Sequence, residues 1–128
     1  MAVDRNMNIL IVDDFQPMLV TMKNLLKKFD LKQVDEAENG AQALNMMRQK
    51  SYGLVLSDWD MEPVTGLELL QEVRGDAVLK DTPFILVTSQ DDAEFMAAAD
   101  AAGVSGYIVK PFTADALRDK IEDVVGPL

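Results

Sequence analysis

The chain has 128 residues, a length that suits one domain able to bury roughly two-thirds of its unfolded surface without staples. It contains neither cysteine nor histidine, which excludes disulfides, thiolate or imidazole metal sites, a Ser-His-Asp triad and a phosphohistidine donor. The formal charge of −10 speaks against nucleic acid as a partner, and no apolar run reaches the ~18 residues of a membrane span, so we expect a soluble, cytoplasmic protein.

Apolar runs alternate with helical patterns along the whole chain. Asn8–Val12 predicts a short, fully buried strand that runs into Asp13 and Asp14. Met18, Leu19, Met22, Leu25, Leu26 and Phe29 share one helical face, with Pro17 acceptable in a first turn. Gln33–Ala37 predicts a second strand, polar enough for a sheet edge; Asn39 and Gly40 end it ahead of a helix holding Ala43, Leu44 and Met47. Leu54–Ser57 predicts a third strand, which delivers Asp58, Asp60 and Glu62 to its end. Leu67, Leu69, Leu70 and Val73 mark a helix begun at Gly66 and stopped by Gly75. Pro83 announces a fourth strand, Phe84–Val87, and Asp92–Ala102 is an alanine-rich helix closed by Gly103. Tyr107–Val109 is the fifth strand, and Thr113–Val125 the last helix, capped by Thr113 with Asp115 in its first turn.

Five strand–helix repeats imply a parallel sheet covered by helices on both faces. Right-handed crossovers then bring every strand to an end on the same sheet edge, where sites of such open sheets lie. That rule gathers Asp13, Asp14, Asp58, Thr88 and Lys110. Each alone has a plain reading: an aspartate caps a helix, a threonine turns a chain, a lysine meets solvent. Together they are chemistry. Carboxylates about 4 Å apart repel by about 4 kcal/mol per pair at an effective dielectric near 20, so either a proton is retained or a cation is bound. All-oxygen ligands select Mg²⁺, Mn²⁺ or Ca²⁺. A carboxylate can itself attack phosphorus, with metal, amine and hydroxyl sharing the transferred charge.

The motifs ILIVDD, AENGAQAL (Ala37–Leu44), SDWDM (Ser57–Met61), GLELL (Gly66–Leu70), LVTS (Leu86–Ser89) and AGVSGYIVKPFTA (Ala102–Ala114) occur in order from end to end. In these the chain resembles the receiver domains of two-component response regulators, and among them the stand-alone chemotaxis members, the CheY-like proteins. The resemblance implies a flavodoxin-like, doubly wound five-stranded parallel sheet of order 2-1-3-4-5 with five helices, an order that CheY itself exemplifies. It implies one receiver domain over residues 1–128 with no output domain, a monomer that touches neither nucleic acid nor membrane. Asp58 would accept a phosphoryl group from a sensor histidine kinase. Mg²⁺, or Mn²⁺, would be held by Asp14 directly, by Asp13 through water, by Asp58 and by the backbone carbonyl of Asp60. Thr88 would be the switch hydroxyl, Lys110 the phosphate-contacting amine, and Lys110–Pro111 a cis bond. Tyr107 would report activation on an output surface with Phe95, Met96 and Ile108, rimmed by Asp91, Asp92 and Glu94. The flagellar motor switch is the implied target, with a phosphate sink or a relay carrier as the alternative role.

The chain departs from the family pattern around the acceptor. Glu62 stands where CheY-like chains place proline, with Pro63 after it; Asp60 replaces asparagine, Gln90 replaces glutamate, and Thr65 replaces an acid. Asp58-Trp59-Asp60 also resembles the DxD of haloacid-dehalogenase phosphatases, but it ends the third strand instead of the first, and no cap sequence follows. A receiver-shaped interaction module that no longer takes phosphate would lose the acceptor, an acid or the lysine, and none is lost here.

Overall fold

A computed structural model describes residues 6–61, 64–89 and 92–128. Three of its strands are runs of branched and apolar residues without polar alternation, and they occupy the middle of the sheet. β1 (Ile9–Val12), β3 (Leu54–Asp58) and β4 (Phe84–Thr88) are buried at every residue, as strands covered on both faces must be. β2 (Val34–Ala37) and β5 (Gly106–Val109) carry half-exposed positions and take the two edges. All neighbours pair in parallel, in the expected order β2-β1-β3-β4-β5.

Five helices cover the faces: α1 (Gln16–Lys28), α2 (Gly40–Gln49), α3 (Gly66–Gly75), α4 (Ala93–Ala101) and α5 (Ala114–Val125). Successive strand residues point to opposite sides, so the sheet divides the core in two. Leu10, Val12, Val55, Phe84 and Leu86 pack with Ala43, Met47, Leu69, Leu70, Val73 and Ala99 of α2, α3 and α4. Ile9, Ile11, Leu54, Leu56, Ile85 and Val87 pack with Leu19, Met22 and Leu26 of α1 and Leu117 and Ile121 of α5.

Helix starts follow local chemistry. Asn39, Asp92 and Thr113 accept the backbone N–H groups of Gln42, Phe95 and Ala116. Thr65 and Glu68 form a reciprocal capping box at α3. At the other end of α3, Arg74 ties three segments together. Its guanidinium donates to the carbonyls of Gly103, Lys80 and Thr82 at 2.8, 2.9 and 2.7 Å, and to the Ser105 hydroxyl at 3.2 Å.

The third and fourth strands run one residue further than expected, through Asp58 and Thr88. The ladder continues beyond them: the Trp59 N–H donates to the Val87 carbonyl at 2.8 Å, and the Lys110 N–H to the Thr88 carbonyl at 2.7 Å. The second strand is one residue shorter than expected, starting at Val34.

Candidate functional site

Strand register assembles the site. Val12 lies opposite Ser57, Asp58 opposite Val87, and Thr88 opposite Val109. Asp13, Asp58, Thr88 and Lys110 therefore reach one edge of the sheet together. Carboxylate oxygens of Asp13, Asp14 and Asp58 lie within 4.8 Å of one another. Asp13 and Asp58 are only 1 % and 5 % exposed, whereas Asp14 is open to solvent.

Two of these carboxylates are short of positive charge. Asp13 accepts the Phe15 N–H on Oδ1 at 2.9 Å, which also steers the chain into α1. Its buried Oδ2 makes no hydrogen bond, and the Lys110 ammonium stands 3.9 Å away. Burial pushes the Asp13 carboxyl up to about 6; Asp58 and Asp14 push the same way, and the Phe15 N–H and Lys110 oppose. Burial also raises the Asp58 carboxyl, against the pull of Lys110, whose Nζ donates to Oδ1 at 2.9 Å. Among the described residues, three carboxylates face a single ammonium. The donor set is all oxygen and one buried oxygen lacks a partner, so the residues fit a hard divalent cation.

Neighbouring residues hold this arrangement. The Asp60 side chain accepts from Ser89 Oγ at 3.2 Å, linking the ends of β3 and β4. Gly66 starts α3 directly against Asp58: a Cβ there would collide with the Asp58 carbonyl oxygen, while the Gly66 N–H donates to the Trp59 carbonyl at 3.0 Å. Thr88 is buried beside Asp58. The Lys110–Pro111 bond is cis, as the family resemblance implied.

The expected output residues separate. Tyr107 is half-buried, with the Lys120 ammonium 5.9 Å from its ring centroid, and Met96 is half-buried on α4. Phe95 turns toward α3 and meets Trp59 edge-on, at 5.1 Å between centroids and 69° between planes. Ile108 is a correction. It is 7 % exposed and packed with Leu117 and Ile121, because the period-two alternation of β5 sends it to the face opposite Tyr107. Asp92 is engaged as the cap of α4, and Glu94 is exposed. Glu62, Pro63, Gln90 and Asp91 lie outside the described residues.

Sequence reasoning missed three supports of the site. The capping box was legible as Thr65-x-x-Glu68, and the tight glycine as the one that opens α3. The Ser89–Asp60 bond joins residues 29 apart and left no local signal.

Comparison with known proteins agrees with this geometry. Residues 9–122 match the family model described as the response regulator receiver domain. The chain is 40 % identical over 121 residues to chemotaxis protein CheY-3 of Vibrio cholerae, covering 94 % of this chain and 93 % of that one. It is 42 % identical over 118 residues to chemotaxis protein CheY of Pseudomonas aeruginosa, covering 92 % and 95 %. Among solved structures, Vibrio cholerae CheY4 superposes with a TM-score of 0.87 at 27 % identity, covering 93 % of this chain and 98 % of that one. With the sheet order, the aspartates and the lysine all in place, the chain belongs to the receiver-domain family of response regulators.

Proposed function

We propose that the protein is a chemotaxis-type response regulator that accepts a phosphoryl group on Asp58 and signals through a phosphorylation-dependent protein contact. The observation that carries this is the pairing of a buried Asp58, bonded to Lys110 at 2.9 Å, with an Asp13 oxygen left without a hydrogen-bond partner beside it. The likeness to named chemotaxis proteins at 40 % and 42 % identity supports the choice of pathway.

In the transfer, an Asp58 carboxylate oxygen bonds to phosphorus as the bond from phosphorus to the donor histidine nitrogen breaks, returning the electron pair to the imidazole. Lys110, bonded to Asp58 at 2.9 Å, keeps the carboxylate oriented and offsets charge on the incoming group. Asp13, Asp14, Asp58 and the Asp60 carbonyl would hold Mg²⁺, which supplies charge neutralisation when bound. The Thr88 hydroxyl then donates to a phosphoryl oxygen in a charge-assisted hydrogen bond. That contact exists only in the phosphorylated state, so it biases the equilibrium between two arrangements of β4 and Tyr107. The donor is a sensor histidine kinase, and the target is the flagellar motor switch or another protein reading the Tyr107 surface.

Incubation with acetyl phosphate and Mg²⁺ tests the reading. Intact mass should rise by one phosphoryl group, acid-stable and base-labile. Asp58→Asn should abolish the label, and Asp14→Ala should abolish its metal dependence. A label that persists in Asp58→Asn would falsify the assignment.

A further inference from the structure

Beside the phosphoacceptor, on the α3–α4 side of the sheet, lies an apolar groove of about 300 Å³ lined by Trp59, Leu67, Glu94, Phe95 and Ala98. Its floor is the Trp59–Phe95 edge-to-face pair. Leu67, Phe95 and Ala98 remain half-exposed at its walls, and α4 contributes only Ala99 to the fully buried core. The groove is therefore apolar, open, and bordered by a helix with little burial of its own.

Charge decides what fits. Glu94 lines the groove, and the two flanking helices also expose Glu68 and Asp100. Their single cation, Arg74, has its guanidinium engaged by the carbonyls of Gly103, Lys80 and Thr82. No ammonium or guanidinium from α3 or α4 is available to balance the groove. A second copy of this chain would bring the same acids and a net charge of −10 against them.

We propose that the α3–α4 groove docks a cationic amphipathic segment of a partner protein. An apolar side chain of that segment fills the space against Trp59 and Phe95, and lysines or arginines flanking it meet Glu94 and the neighbouring acids.

The chain has one tryptophan, and it forms the floor of the groove, so its emission reports occupancy directly. The probe is a helical peptide with leucines on one face and lysines on the other, added without Mg²⁺ or phosphodonor. It should shift Trp59 emission saturably. A twin peptide with glutamate for each lysine should bind about tenfold more weakly or worse, and high salt should weaken the lysine peptide similarly. Glu94→Lys should weaken binding about tenfold. Ala98→Lys, which fills the groove and adds like charge, should abolish the shift while far-ultraviolet circular dichroism stays the same. Arg118→Glu, on the helix across the sheet, should change nothing. The proposal is overturned if no saturable shift occurs, if the acidic twin or a scrambled lysine peptide binds as well, or if both groove variants bind normally. It is also overturned if the emission depends on protein concentration alone, which would make a second copy the occupant. Because neither metal nor phosphodonor is present, failure here is distinguishable from failure of the Asp58 assignment.

Discussion

Asp13 is held in place through one oxygen and left wanting through the other. Its Oδ1 takes the Phe15 N–H, while Oδ2 is buried next to two more carboxylates. Removing that charge should stabilise the metal-free protein, because ionised Asp13 is opposed both by burial and by Asp58. We expect Asp13→Asn to raise the melting temperature without Mg²⁺ by several degrees, on the order of 1–2 kcal/mol. Mg²⁺ should raise the melting temperature of the parent protein, and less so that of the variant. Thermal denaturation of both proteins with and without Mg²⁺ checks this, and an unchanged parent midpoint would contradict it. A different carboxylate gives the pH signature. Asp35 accepts the Tyr52 hydroxyl at 2.7 Å and Lys50 Nζ at 2.9 Å on the same oxygen, and those bonds hold its carboxyl below the ordinary value of 3.8. A carboxyl lowered in the folded state adds stability above about pH 4, lost as pH falls through its folded value. Tyr52→Phe should therefore cost about 1 kcal/mol at neutral pH and less in acid. Urea titrations at pH 7 and pH 3 measure the difference.

Among the elements, α3 does most to connect the site to the rest of the fold. Its first residue rests on the carbonyl of Asp58, and its last turn carries the arginine that bridges three segments. Substitutions at its two ends should separate. Gly66→Ala would press a methyl group into the Asp58 backbone, so we expect slower labelling as well as lost stability. Arg74→Ala should cost about 2–4 kcal/mol by orphaning carbonyls, while the rate of labelling stays near the parent value. Labelling kinetics paired with urea unfolding make the comparison. The elements also show what the sequence made legible. Apolar runs marked four strands, the turn at Asn39 and Gly40 bounded the more polar second one, and Asn39, Asp92 and Thr113 marked helix starts, because these signals are local. Ile108 was misplaced although its signal was also local: in a strand, adjacent residues cannot share a face, and Tyr107 already claimed the outward one. Phe95 was harder. The alanine-rich run of α4 defines no clear apolar stripe, so the side it turns to α3 follows from tertiary packing. Arg74 left no trace in the sequence, since its partners lie up to 31 residues away.

At the scale of the molecule, Asp58 and Thr88 belong to the same buried ladder that divides the two halves of the core. Asp58 and Thr88 are the last residues of β3 and β4, and the next N–H groups in line, those of Trp59 and Lys110, are bonded to the Val87 and Thr88 carbonyls at 2.8 and 2.7 Å. Amides so placed should exchange with deuterium nearly as slowly as those of Leu56 and Leu86, through opening of the whole sheet and not of a loop. Exchange at Trp59 and Lys110 as fast as at the chain ends would contradict this. The consequence reaches beyond the measurement. A site mounted on a loop can be loosened or retuned while the scaffold stands. Here the Asp58 carboxylate and the scaffold open together, so substitutions that alter how Asp58 is held will also register as changes in how readily the protein unfolds.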